Sequence, residues 1–296
     1  MKKVAEVIEI SLKPGVQPQI DAALALRSSG RLEEALHALS SPAEYSAYLY
    51  TVRGELEFAL GRFQEAALSF FGVVDSDPGN VDAHYNLALC LQRADRWDAS
   101  CQAFERVLRL DDSRDAARLG LGASLLYLNR LEEALAVFHQ CSVHKCSAHE
   151  CSAALDFAAA FGKAVTLQLL QRFGEAVSAY EVLLASDPIS EEALSNLIAL
   201  GIETQDLDRV REYSQRLLKV APQSQAALQG LAAVALARQD HHAAARYCDR
   251  ILQQTPGCLE AWHNLRVALG RIVSAFHVPQ PVAVDPAVRL AQWEVG

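Results

Sequence analysis

"GRFQEAALSFFGVVDSDPGN" (61–80) decides the fold because it returns. Set beneath it, "DRWDASCQAFERVLRLDDSR" (95–114) and "NRLEEALAVFHQCSVHKCSA" (129–148) follow at an offset of 34 residues each time. "QRFGEAVSAYEVLLASDPIS" (171–190), "QDLDRVREYSQRLLKVAPQS" (205–224) and "QDHHAAARYCDRILQQTPGC" (239–258) repeat the same interval, and "GRLEEALHALSSP" (30–42) is a shortened earlier copy. A period in this range marks a stack of supersecondary units, each unable to bury its apolar face alone. Every copy follows a helical segment rich in small residues, such as "VDAHYNLALCLQRA", so the unit is a pair of helices.

Packing logic accounts for the recurring residue types. Gly54, Ala88, Gly122, Ala164 and Ala232 on first helices, and Ala66, Ala134, Ala176 and Ala244 on second helices, stand where two helix axes must approach closely. Phe70, Phe104, Phe138 and Tyr180 are large enough to fill the space between one hairpin and the next. Pro78, Pro188, Pro222 and Pro256 stop second helices, since proline lacks the amide donor and clashes with the preceding turn.

These residues resemble the tetratricopeptide repeat family. In 47–80 the matching residues are Tyr50, Gly54, Gly61, Phe63, Ala66, Phe70 and Pro78. In 81–114 they are Leu87, Ala88, Trp97 and Phe104, with Ser100 at the alanine position and Asp112 at the proline. In 157–190 they are Ala164, Phe173, Ala176, Tyr180 and Pro188. The resemblance covers roughly residues 16–270. It implies an all-α, right-handed solenoid of about seven helical hairpins plus a C-terminal capping helix. The expected organisation is an extension at 1–15, repeats at 16–46, 47–80, 81–114, 115–148, 157–190, 191–224 and 225–258, a capping helix at 259–276 and a proline-containing tail at 277–296. Trp262 and Leu265 keep the register of a first helix, but Arg266 replaces its small residue. The tail either stays unfolded or folds back onto the array through Val288, Leu290 and Trp293.

Composition limits the function. The chain has 296 residues, 51% hydrophobic, with a net charge of -9 and no basic stripe, which argues against nucleic acid as a partner. No apolar run is long enough to span a bilayer, and Glu6 and Glu9 interrupt the apolar stretch of "MKKVAEVIEI", so neither membrane nor secretion is expected. The seven cysteines, an odd number, are expected as thiols in the cytoplasm. Glycine-rich phosphate loops, nucleophile elbows and paired metal histidines are absent from the sequence, and no cofactor or catalytic role is expected.

One segment breaks the period. "QCSVHKCSAHEC" (140–151) lies across a step of 42 residues, an insertion of eight at about 149–156. Cys141, His144, Cys146 and His149 form a conceivable zinc quartet in a loop, but Cys141, Cys146 and Cys151 stand five apart, a spacing unlike that of structural zinc pairs. Cys141 occupies the position of Val73, Val107 and Leu183, so it reads as a small buried residue, and Ser147 with Glu150 reads as a capping box for the next helix. The segment is read as a join. A metal- or redox-responsive regulator through 139–151 is the alternative function, and a targeting subunit for an enzyme on another chain is a further one.

By the family resemblance, repeat positions 2, 5, 6, 9, 12 and 13 line a concave groove. They supply Asp82, Tyr85, Asn86, Leu89 and Gln92, then Leu119, Ala123, Leu126 and Tyr127, then Phe161, Val165, Gln168 and Leu169, then Glu192, Asn196 and Glu203. Asn86, Asn196 and Asn264 share position 6, where related arrays hold a ligand's backbone by amide hydrogen bonds. Thr51, Ala116 and Gly120 stand where chaperone-binding relatives carry a basic clamp, which argues against a heat-shock chaperone tail as the ligand. The expectation is a non-catalytic scaffold or adaptor that takes a protein or peptide segment, with self-association or occupation by its own tail as competing uses of the groove.

Overall fold

The computed structural model describes residues 17–39, 46–143 and 153–275. Among them are fifteen helices and no strand, as the period predicts. The chain divides into two compact bodies, one through Arg172 and one from Phe173.

In the N-terminal body, α1 (Gln17–Ser28) pairs with α2 (Leu32–Ala38), α3 (Ala47–Ala59) with α4 (Phe63–Ser76), α5 (Val81–Arg93) with α6 (Trp97–Leu110) and α7 (Asp115–Tyr127) with α8 (Leu131–Val143). Helix α9 (Ala153–Leu169) then packs on α8. Each even helix lies against the odd helices before and after it, and α1 meets α3, α5 meets α7 and α7 meets α9. The odd helices thus form the inner layer of this body. In the C-terminal body, α10 (Phe173–Ser186) packs on α11 (Glu191–Glu203). Helix α11 pairs with α12 (Leu207–Val220), α13 (Gln225–Ala237) with α14 (His241–Gln254), and α15 (Leu259–Ala275) packs on α14.

The residue that opens each copy of the repeated stretch makes the turn inside the hairpin. Gly61, Asp95, Asn129, Gln171, Gln205 and Gln239 all hold positive φ, between 57° and 74°, and Gly30 holds 77°. One left-handed residue closes the first helix and redirects the chain into the second. Second helices end by the proline rule: α4 stops at Ser76, and Asp77 before Pro78 lies outside the helical region at φ -138°, ψ 87°. Asp111 adopts nearly the same angles ahead of Asp112, so the turn survives without its proline.

A small residue is required at Gly54 and Gly122, as expected, and also at Gly120 and Gly162, which the sequence reading did not single out as close approaches. A Cβ on Gly54 would stand 2.9 Å from the Phe70 ring, one on Gly120 2.3 Å from Phe104, and one on Gly122 or Gly162 2.6 Å from Phe138. Phe138 is therefore held between its own hairpin partner α7 and the following helix α9. Ser100, which replaces the expected alanine, is fully buried and donates to the Ala88 carbonyl at 3.0 Å. Its hydroxyl costs little because it is satisfied. Gln92 reaches from α5 to the Gly120 carbonyl and the Ser124 hydroxyl, pinning α5 to α7.

Candidate functional site

The inner layer of the N-terminal body carries a cleft of about 320 Å³ lined by Arg27, Glu55, Phe58, Ala59, Phe70, Asn86 and Leu89. Phe70, 2% exposed, closes its floor from α4 through the gap left by Gly54. At the rim Arg27 and Glu55 form an ion pair between α1 and α3, with both side chains partly exposed. Asn86 lies half-buried in the wall, and its amide has no hydrogen-bond partner among the described residues. The cleft therefore offers an apolar floor, one free amide and charges of both signs at the entrance.

Farther along this layer the predicted residues take different parts. Tyr85 stands edge-on to Phe104 at 6.0 Å, and the Arg114 guanidinium lies 5.2 Å from its ring centroid. Arg114 also pairs with Asp82. Burial raises the Tyr85 hydroxyl above its ordinary pKa despite that cation, so the ring acts as a wall. Leu126 is half-buried on the α5–α8 core. Tyr127 is 71% exposed and stacks on Trp97 of the preceding hairpin at 4.0 Å and 5°. On α9, Phe161 stacks on Phe157 at 6.3 Å, Val165 is half-buried and Leu169 is 53% exposed. Tyr127 and Leu169 thus expose large apolar groups on α7 and α9.

The three asparagines are not equivalent. Asn196 is hydrogen-bonded to the Tyr180 hydroxyl, a buried group whose pKa burial pushes well up, so this amide is committed within the fold. Asn264 is half-buried on α15. Gln92 likewise serves the α5–α7 joint rather than an open surface. Arg27, Glu55, Phe58 and Phe157 lie on odd helices and were not among the groove residues expected from sequence, and Trp97 reaches Tyr127 from the start of α6. Glu55 and Phe58 occupy positions 9 and 12 of repeat 47–80, so the same position rule, applied one repeat earlier, finds them.

Cys141 lies in the α8 core at 8% exposure, with its thiol pushed up to about 11 by burial and by nearby Asp115. His139 is exposed on α8, while His144, Cys146 and His149, with Cys151 and the Ser147–Glu150 cap, lie outside the described residues. Among the described residues no group of three or more metal-ligating side chains converges. Burial also pushes the Cys90 thiol up to about 12 and that of Cys248 to about 11. Each ionises in the unfolded chain near 9.0 but later when folded, so the stability these thiols contribute is complete below pH 9 and falls away as pH rises toward 11. Alkylation at pH 8 with peptide mapping is expected to label half-exposed Cys258 well before Cys90, Cys141 and Cys248. Early labelling of the buried three would contradict their placement.

Residues 51–114 and 202–257 match the family described as Tetratricopeptide repeat. Among solved structures, the chain is similar to the C-terminal part of a TPR repeat-containing protein from Cytophaga hutchinsonii, with a TM-score of 0.66 and 14% identity over 83% of this chain and 99% of that one. It is similar to pilF of Pseudomonas aeruginosa, with a TM-score of 0.58 and 18% identity over 73% of this chain and 95% of that one. A third is YrrB, described as a TPR protein with an unusual peptide-binding site, with a TM-score of 0.54 and 14% identity over 68% of this chain and 99% of that one. At these identities the likeness is one of fold. No helix among the described residues is long and apolar enough to cross a membrane.

Proposed function

The chain is a tetratricopeptide-repeat solenoid protein, and from that premise we propose that it is a non-catalytic scaffold or adaptor that binds a peptide segment of a partner protein on the inner layer of its N-terminal body. The observation that carries this reading is the cleft around Asn86. An amide without a partner, set in an apolar wall beside Leu89, Phe58 and Phe70, suits an extended chain whose backbone it holds while an apolar side chain fills the floor. Leu126, Tyr127, Phe161, Val165 and Leu169 accept further apolar side chains along α7 and α9. Exposed apolar side chains gathered on one layer often mark an interaction site. YrrB, similar in fold and described by its peptide-binding site, supports the same use here. Asn264 belongs to the C-terminal body and is no part of this cleft, and Asn196 is left out of the grip because Tyr180 holds it. The cytoplasm suits the chain, since unpaired thiols such as Cys90 and Cys258 stay reduced there.

The test is affinity capture from the native host's lysate with the wild type and with Tyr127→Asp plus Leu169→Asp. Both side chains are exposed, so the variant keeps its fold. Proteins retained by the wild type and depleted about tenfold by the variant, the loss of roughly 1.4 kcal/mol of binding, support the reading. Identical retention by the two would overturn it.

A further inference from the structure

Charge is distributed unevenly on the inner layer of the N-terminal body. At repeat positions 2, 5, 6, 9, 12 and 13 of α3, α5, α7 and α9, those expected to line the groove, only three residues are charged. Glu55 is paired with Arg27, and Asp82 with Arg114. The third, Arg93, is exposed and has no hydrogen-bond or ion-pair partner among the described residues. A cation in the last turn of α5 favours the helix dipole from any side. Arg93 in addition falls on one stripe with Asn86 and Leu89, at the spacing i, i+3, i+7 that aligns side chains on a helix face. Those two residues form a wall of the cleft. Gln92, the residue before Arg93, is bonded to the Gly120 carbonyl and the Ser124 hydroxyl, so this end of α5 is held against α7. The other arginines of this body without a partner, Arg96 and Arg106, lie in the turn before α6 and on α6 itself.

Resting on the cleft reading above, we propose that the bound peptide carries an acidic residue: an apolar side chain fills the floor of the cleft and, two residues away, an aspartate or glutamate pairs with Arg93. The Cα of Arg93 stands about 6 Å beyond that of Leu89 along α5, at about 1.5 Å per helical residue. An extended peptide advances about 3.3 Å per residue and turns alternate side chains to one side, so two residues cover that step and return a side chain to the same face. A carboxylate suits Arg93 because the groove positions of α7 and α9 are all uncharged and offer no competing partner. A basic residue in that place would meet an uncompensated like charge, so the site selects by repulsion as well as by attraction. The pair is open to solvent, so its contribution is small and falls with salt, and it decides which peptides bind more than how tightly.

Selection of a random peptide display library on the full wild-type chain and on Arg93→Glu tests this. The wild type is expected to enrich peptides with an acid two residues from a large apolar residue, and Arg93→Glu to enrich lysine or arginine in that place. Peptides selected on the wild type should bind Arg93→Glu about tenfold and Arg93→Gln about threefold more weakly at low salt, with both gaps narrowing at about 1 M salt. Arg93→Lys should keep the preference for an acid. Arg93 is exposed, so these variants are expected to keep the fold, which a melting curve checks. Peptides that lose affinity with Asn86→Ala but show no preference for an acid, or that bind the wild type and Arg93→Glu alike, would overturn the pairing with Arg93 and leave the cleft reading standing. Peptides indifferent to Asn86→Ala would overturn both, as would an empty selection, with a second copy or the chain's own tail filling the layer.

Discussion

Replacing Arg118 with alanine is expected to destabilise the N-terminal body by about 3 to 5 kcal/mol, the cost of breaking a buried ion pair from one side. Arg118 is 2% exposed at position 4 of its repeat, where α11 and α13 carry Leu194 and Leu228. Its guanidinium donates to Asp112 at 2.6 Å and to Asp115 at 2.9 Å. Asp115 is only 10% exposed, so removing the cation takes a fork-bonded charge partner from a nearly buried carboxylate. Arg118→Lys keeps the charge but loses the fork that reaches both aspartates at once, and an intermediate loss is expected. Arg118→Leu combined with Asp115→Ala should recover most of the stability, since an apolar pair in place of a buried ion pair is often neutral or better. Urea midpoints for the four proteins check this, and an alanine variant as stable as the wild type would contradict it.

Phe138→Ala is the second large effect, also expected at about 3 to 5 kcal/mol. The ring is 1% exposed and lies against Gly122 on one side and Gly162 on the other, so its removal empties a space shared by α7, α8 and α9. Because a repeat array is held together by neighbouring contacts, this loss should also split thermal unfolding into more than one transition. Gly122→Ala probes the same space from the other direction. Its new Cβ would stand 2.6 Å from the ring, and overpacking should cost about 1 to 3 kcal/mol. A Phe138→Ala melt that superimposes on the wild type would show that α9 does not depend on this residue.

The period alone carried the helix count, the hairpin turns and the small-residue contacts, because each follows from local chain geometry repeated at fixed spacing. The left-handed turn residues illustrate this: Gly61 announces the position, and Asp95, Asn129 and the three glutamines inherit it from register. Arg118 was not legible in that way. A charged residue at a position that holds leucine in α11 and α13 looks like an outward-facing departure, and its burial depends on aspartates three and six residues away. The asparagines lie between these cases. Asn86 and Asn196 occupy one position, but the aromatic preceding Asn86 is Phe70, whereas the one preceding Asn196 is Tyr180, whose hydroxyl engages the amide. Reading the preceding aromatic together with the asparagine separates the free amide from the committed one.

The central claim is that the free amide and the apolar surface beside it hold a peptide. Selecting a random peptide display library on the wild-type protein, then measuring the enriched peptides by calorimetry, tests it most directly. The account predicts peptides with large apolar residues, bound several-fold more weakly by Asn86→Ala, the loss of one hydrogen bond of about 1 kcal/mol. It predicts about tenfold weaker binding by Tyr127→Asp plus Leu169→Asp and unchanged binding by Asn196→Ala. Enriched peptides that bind all four proteins equally, or that depend on Asn196 as much as on Asn86, would contradict it.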